Sequence, residues 1–594
     1  MSRKRASSRK QRTARSSDAP KSAPVEPSGL QAYFTASAIR ETVESIVVAF
    51  VLAFLFRTFE AEAFVIPTGS MAPTLMGAHK DLACPECGYW YAAGASSEAE
   101  DVARQRGIMG PLTPVSDVTC PMCRYITNVD PRTPDGRDYP TYGGDRILVS
   151  KFNFEFNDPR RWDVTVFKYP GGAETNYIKR LVGLPSETLR IWHGDLYVRP
   201  RGADDFHLER RTPSKLRAMA QIVYDNDYVV DAMTEKGWPV RWQPWPATDA
   251  ETEGGWRSPD GSRSYEIDSS PDDVRWIGYQ HFTPSINDWK MLAQGPLPDN
   301  VRPRPRLITD FYAYNTSVQR GDPEDQPQML GLHWVGDLML DCQLDVTRAD
   351  GDALLELIEG GVRFQCRIDC ATGEARLSID GLDNYEPTAQ TDIRGGGSHS
   401  VSFANIDDQL LLWIDGSPIE FDSPTTYPDL KNDRPVATDS EPGDLMPARI
   451  GSRGAGLRVR NLRLWRDIYY IATDGRNPVS DYRRPRAMLA QLNYEELLNF
   501  WSTPSLWTSD SSTNPFDQRH EAVYELDDDQ FFVLGDNSPL SQDARLWFAE
   551  RYVARDLLVG KALYIFWPHS FDRVPGTRIP FPFFPNFARM GFIR

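Results

Sequence analysis

Between residues 45 and 56 the chain reads SIVVAFVLAFLF, an unbroken apolar run bounded by Glu44 and Arg57. As a helix, that run covers about 18 Å of a hydrocarbon layer roughly 30 Å thick. Alone it is short for a membrane span, and a buried helix or a signal-peptide core suits it equally. Beyond it the pattern turns to alternation. Asp163-Val164-Thr165-Val166-Phe167 alternates as a strand. So do Leu338–Leu344, Ala375–Gly381 and Leu411–Gly416, the last two ending in Asp-Gly turns. Short strands at this spacing over 305–472 predict an antiparallel sandwich. Residues 193–304, rich in Trp and Pro with weak periodicity, predict loops and short strands packed by aromatics. The fold class is therefore mainly β.

Composition narrows the picture. With 594 residues, 40% of them hydrophobic and 25% charged, the chain is globular, which excludes wholesale disorder and a polytopic membrane protein. Its formal charge of −17 argues against nucleic acid as the main partner. Seven cysteines are too few for a disulfide scaffold of this size. Charge is unevenly spread. The first 21 residues hold eight Lys or Arg against one Asp, a net of +7, leaving −24 for the rest. Residues 1–37 are expected to form a disordered basic tail. Residues 38–60 are expected to form an anchor helix, whose preceding positive charge would hold the N-terminus in the cytoplasm. Ala61-Glu62-Ala63 has the small-x-small form of a cleavage site, so composition leaves permanent anchor and cleaved leader both open.

Directly after the run stands Phe64-Val65-Ile66-Pro67-Thr68-Gly69-Ser70-Met71-Ala72-Pro73-Thr74-Leu75. Two further segments follow in order, Tyr177-Ile178-Lys179-Arg180-Leu181-Val182-Gly183-Leu184-Pro185 and Leu534-Gly535-Asp536-Asn537-Ser538-Pro539-Leu540-Ser541-Gln542-Asp543-Ala544-Arg545. Together they resemble the nucleophile segment, lysine box and last box of bacterial type I signal peptidases. The resemblance covers residues 38–80, 143–192 and 528–570. It implies an all-β catalytic core after one transmembrane helix, in the bacterial inner membrane with the catalytic domain outside. The implied activity is signal-peptide removal from secretory preproteins, with the lipid bilayer as the other partner and no catalytic cofactor. Two positions depart from the pattern: Ser538 stands where many relatives have arginine, and Ala544 replaces a serine.

By that resemblance Ser70 is the nucleophile and Lys179 the general base. A serine hydroxyl needs a base, and a lysine can act as one only when burial lowers its pKa. Thr68 is implied as an oxyanion donor together with the Ser70 N–H, and Ser541 as the hydroxyl that holds the Lys179 amine. Asp536, Asp543 and Arg545 are expected to organise the last box by charge pairing. Ile66, Pro67, Met71, Leu75, Tyr177 and Ile178 match the substrate pocket, small enough to favour alanine-like side chains at −1 and −3. The rival reading is a secreted or membrane-bound binding protein whose peptidase core is inactive.

The matching segments leave most of the chain as insertion. Residues 81–142 carry Cys84-Pro85-Glu86-Cys87 and Cys120-Pro121-Met122-Cys123, two knuckles that suit a tetrahedral, structural Zn²⁺ and resemble a zinc ribbon. A pair of disulfides is the alternative. Within 305–472, Ser400-Val401-Ser402-Phe403, Leu412–Gly416 and Leu462-Arg463-Leu464-Trp465 resemble laminin-G or concanavalin-like jelly rolls, whose ligand stays open. Cys366 and Cys370 would lie about 13 Å apart on one strand face, too far to bridge, so Cys342 could pair with one of them. Residues 473–527 read as a connecting segment and 571–594 as an aromatic, proline-rich arm.

Overall fold

The computed structural model describes residues 36–55 and 61–594, except 100–111, 135, 138, 247–254, 269–272, 318–330, 429, 431–432, 474–479, 483–491, 509–513, 549 and 574–578. The basic tail and the end of the apolar run at Phe56 lie outside these residues. Two units result, 1–60 and 61–594.

The first unit is a helix, Ala36–Leu55. It exposes Val43, Ile46, Val47, Val48, Phe50 and Val51, and Arg40 pairs with Glu44 one turn on. Three charges, Arg40, Glu41 and Glu44, fall in its first half. Among the described residues no helix is long and apolar enough to cross a membrane.

The second unit is built on a sheet whose strand order interleaves distant parts of the sequence. Ala61–Val65 lies at one edge, followed by Arg146–Ser150, Leu558–Trp567, Val164–Lys168, Asn176–Gly183, Gln530–Leu534 and Val553–Ala554, all antiparallel. Gly591–Phe592 pairs with the outer part of Leu558–Trp567. A smaller sheet joins His207–Leu208, Asp195–Pro200, Glu187–Trp192 and Ala522–Glu525. Leu189, Ile191, Leu196 and Val198 alternate inward from it and pack with Phe167, Val182, Phe532 and Trp547 in one core. Burying each such side chain contributes about 1.5–3 kcal/mol.

Two seven-stranded antiparallel sheets form the sandwich. Its strands come from 338–466, where the alternation is regular, and also from the Trp/Pro-rich stretch. Gln221–Asp225 and Tyr265–Ile267 pair with Gly456–Arg466, while Trp242–Trp245 and Arg275–Tyr279 edge the other sheet next to Ala448–Arg453. Leu340, Leu344, Leu355, Phe403, Leu412 and Val459 fill the space between the sheets. Cys342, Cys366 and Cys370 are all free and buried there, which corrects the expected bridge.

The cysteine-bearing insert packs on this sandwich. Leu82, Val118 and Met122 share its core, and the Trp289 indole donates to the Cys123 carbonyl at 3.0 Å. The sandwich is also tied to the peptidase sheets. Buried Arg211 bonds Asp407 at 2.8 and 2.9 Å and Asp467 at 2.7 Å, and the Tyr470 N–H donates to the Gly194 carbonyl at 2.9 Å.

Candidate active site and cysteine cluster

Ser70 sits in a single 3₁₀ turn, Gly69–Met71, which Thr68 enters with extended backbone. Close packing dictates its glycines. A Cβ on Gly69 would lie 2.1 Å from the Tyr314 ring, and one on Gly77 would lie 2.1 Å from the Thr68 carbonyl carbon. The turn is also held from the last box. The Asn537 N–H donates to the Ser70 carbonyl at 3.1 Å, and its side-chain amide donates to the Gly69 carbonyl at 3.0 Å. Asn315 in turn exchanges amide hydrogen bonds with Asn537. Tyr314 and Asn315 thus reach the nucleophile turn from the large insertion, where no sequence motif marked them.

Lys179 enters from the strand Asn176–Gly183, opposite Thr165. Its Nζ lies 2.7 Å from Ser70 Oγ and 3.0 Å from the Ile178 carbonyl. Both side chains are buried, Ser70 at 8% exposure and Lys179 at 3%. Burial lowers the Lys179 pKa from 10.5 to about 8, and the negative charges of Asp543 and Asp536 oppose that fall without cancelling it.

The acidic residues of the last box are fully buried and fully paired. Asp536 takes a two-pronged ion pair from Arg180, with both distances 2.7 Å, and a hydrogen bond from the Thr74 hydroxyl. Asp543 accepts the Gly535 N–H at 3.0 Å and two bonds from Arg545, each 2.8 Å. Arg545 also donates to Ser538 Oγ at 2.9 Å, and Ser538 Oγ accepts the Ile471 N–H at 3.0 Å. The serine at this position therefore joins the box to the end of the sandwich. Arg180 is the organising residue that sequence reasoning passed over, although it adjoins Lys179. Its role becomes visible only when Asp536 is brought opposite.

Two expectations are corrected. Ser541 makes no hydrogen bond to Lys179: among the described residues its Oγ is buried without a partner, packed so that a Cβ on Gly535 would fall 2.2 Å away. Met71 and Leu75 expose no surface, and Ile66 only 2%. They pack with Ile147, Val149, Val164 and Val166 as core beneath the turn. Of the expected pocket residues, Pro67 and Tyr177 are half-buried and Ile178 is 9% exposed.

Away from this site the four insert cysteines converge. Cys84 and Cys123 sulfurs lie 3.5 Å apart, as do those of Cys87 and Cys120, and all four fall within 4.8 Å of one another. Tetrahedral zinc with Zn–S of about 2.3 Å sets sulfurs about 3.8 Å apart. All four are free thiols, far beyond the roughly 2.05 Å of a disulfide. The two knuckles repeat one geometry. Gly88 N–H donates to the Cys84 carbonyl and Arg124 N–H to the Cys120 carbonyl, with positive φ at Gly88 (78°) and Arg124 (57°). The donor set fits a zinc ion.

Comparison with known proteins bears on the peptidase part. Residues 134–233 match the family model described as signal peptidase, peptidase S26. That stretch contains Lys179 and lies between Ser70 and the last box. Signal peptidase I of Pseudomonas fluorescens is 44% identical over 70 residues, covering 10% of this chain and 25% of that protein. Signal peptidase I V of Bacillus subtilis is 40% identical over 60 residues, covering 10% and 34%. The chain thus spans about a quarter to a third of the length of these curated relatives. Among solved structures, a Bacillus subtilis carbohydrate-binding module aligns with 38% of this chain and 95% of its own, at 7% identity and a TM-score of 0.20. By the family match and these relatives, the chain is similar to signal peptidases.

Proposed function

We propose that the chain is a Ser/Lys endopeptidase that removes signal peptides from exported preproteins, cutting after small residues at −1 and −3. The observation that carries this reading is the buried contact of 2.7 Å between Lys179 Nζ and Ser70 Oγ, with the lysine pKa brought down to about 8. At neutral pH a useful fraction of the amine is then uncharged and able to accept a proton.

In the reaction, Ser70 Oγ attacks the scissile carbonyl carbon while its proton passes to Lys179 Nζ. The tetrahedral oxyanion is met by the Ser70 N–H and the Thr68 hydroxyl. Losing one such donor typically costs about 10²–10³ in rate. Collapse breaks the C–N bond, Lys179 gives its proton to the leaving amine, and an acyl-enzyme remains. Lys179 then takes a proton from water, and the resulting attack frees the acid and restores Ser70. The substrate lies extended beside the sheet, with Pro67, Tyr177 and Ile178 as the pocket side chains that retain exposed surface.

Asp536, Asp543 and Arg545 serve as box-organising residues, joined by Arg180. Residues 38–60, which extend past the described helix, anchor a single-pass protein in the bacterial inner membrane. Its N-terminus faces the cytoplasm and its catalytic unit the outside. A structural Zn²⁺ on Cys84, Cys87, Cys120 and Cys123 holds the zinc-ribbon-like insert, and the sandwich is a laminin-G-like module.

The test is cleavage of a preprotein in detergent or liposomes by wild type, Ser70→Ala and Lys179→Ala. Both variants are expected to lose activity by several orders of magnitude. Undiminished cleavage by either one sinks the mechanism.

A further inference from the structure

We propose that His79, Asp81 and His569 form a second metal site, separate from the four cysteines and suited to a divalent ion of the zinc class. His79 and Asp81 lie two apart on the strand His79–Ala83 and so project from the same face. His569 arrives from the far end of the chain, just after the strand Leu558–Trp567. Donor atoms of all three fall within 4.8 Å of one another. His79 Nε2 is 3.5 Å from Asp81 Oδ1, and His569 Nε2 is 2.8 Å from Asp81 Oδ2. A tetrahedral ion with bonds of about 2.0–2.1 Å sets neighbouring ligand atoms about 3.3–3.4 Å apart, between those two values.

Hydrogen bonding is the stronger argument. His79 Nδ1 lies 2.6 Å from the Gly77 carbonyl, which can only accept, so Nδ1 carries the proton. In the neutral ring, Nε2 then presents a bare lone pair toward a carboxylate oxygen. Two acceptors facing each other in a buried place are repulsive unless a cation lies between them. A backbone carbonyl on the far ring nitrogen is also how metal-binding histidines are oriented.

His569 is buried at 4% exposure, and among the described residues neither of its nitrogens meets hydrogen-bond geometry, the 2.8 Å approach to Asp81 included. Its ring stands edge-on to His79 with centroids 4.8 Å apart. Tyr142 closes one side of His569 at 4.5 Å between centroids. Arg589, the nearby cation, is engaged with Asp145 at 2.8 Å. Three protein ligands leave a fourth position for water, on the side where Asp81 stays partly exposed.

Such an ion would fasten the C-terminal segment to the strand that follows the nucleophile turn. Gly77, whose carbonyl orients His79, packs directly on the Thr68 backbone. The site thus acts on the turn as a positioning clamp, without touching substrate.

Metal content of the full-length protein, stripped with chelator and reloaded with zinc, tests the proposal. About two ions per chain are expected for wild type. About one is expected for His79→Gln with His569→Gln, and about one for Cys84→Ser with Cys120→Ser. Wild type binding a single ion, or the histidine variant keeping two, overturns it. Cobalt titration of wild type gives a readout that does not depend on a variant folding. The cysteine site adds thiolate-to-cobalt charge transfer, whereas a nitrogen and oxygen site adds only d–d bands. A second equivalent binding without further charge transfer supports the proposal. Saturation at one equivalent overturns it.

Discussion

Replacing Lys179 by methionine keeps the length of the side chain and removes its charge. In the folded protein this lysine titrates at about 8 rather than 10.5. At about 1.36 kcal/mol per pKa unit, burying it costs about 3 kcal/mol of folding stability wherever both states would otherwise be protonated, that is, below pH 8. Between pH 8 and 10.5 the folded state binds fewer protons than the unfolded state, so wild-type stability rises with pH across that window. Methionine pays no such cost. Lys179→Met is therefore expected to gain about 3 kcal/mol relative to wild type at pH 7, over a constant set by packing and by the lost bond to Ser70. That pH-dependent gain should vanish as pH approaches 10.5. Denaturant unfolding of both proteins in parallel from pH 7 to 10.5 measures it, since the other titrating groups cancel in the difference. A difference that stays flat with pH would refute a lowered pKa and remove the physical basis for a lysine base.

The same pKa predicts that kcat/KM on a preprotein rises about tenfold per pH unit below pH 8 and levels above it. A profile already flat from pH 6 would contradict this. Arg180→Ala strands Asp536 as an unpaired buried charge and should cost about 3–5 kcal/mol, read as a drop in the unfolding midpoint. Gly535→Ala drives a methyl within 2.2 Å of Ser541 Oγ and 2.4 Å of the Ser70 carbonyl oxygen, so cleavage should fall at least about tenfold with little loss of secondary structure. Chelating metal from the four cysteines should expose the insert core, where Leu82 and Val118 pack, to limited proteolysis. Unchanged proteolysis would assign the four thiols no structural ion.

Much of this was legible along the chain because chemistry and periodicity are local there. Ser70 and Lys179 stand in dense motifs, and the sandwich strands of 338–466 alternate cleanly. What was hidden depends on partners far off in sequence. Arg180 reads as one more strand residue until Asp536 lies against it. Tyr314 and Asn315 have no local signature, and their importance comes from the space left by Gly69 and the amide of Asn537. Short strands were expected at 221–279, but not that they join the sandwich, because Trp and Pro blur a period of two, as in Trp242-Gln243-Pro244-Trp245. Met71 and Leu75 were read as pocket lining, and only packing shows that neither reaches the surface.

The strand order carries a consequence for timing. Leu558–Trp567 lies in the middle of the catalytic sheet, between Arg146–Ser150 and Val164–Lys168, and the carbonyl of the final residue, Arg594, accepts a bond from Arg180. During synthesis the nucleophile emerges first, the lysine about a hundred residues later, and the strand that unites their sheet about 380 residues after that. Until then the two halves share no sheet, and the Ser70–Lys179 contact rests on the packing of Met71 and Leu75 against Val164 and Val166. The catalytic contact is therefore expected to firm up late, once Leu558–Trp567 has joined the two halves of the sheet.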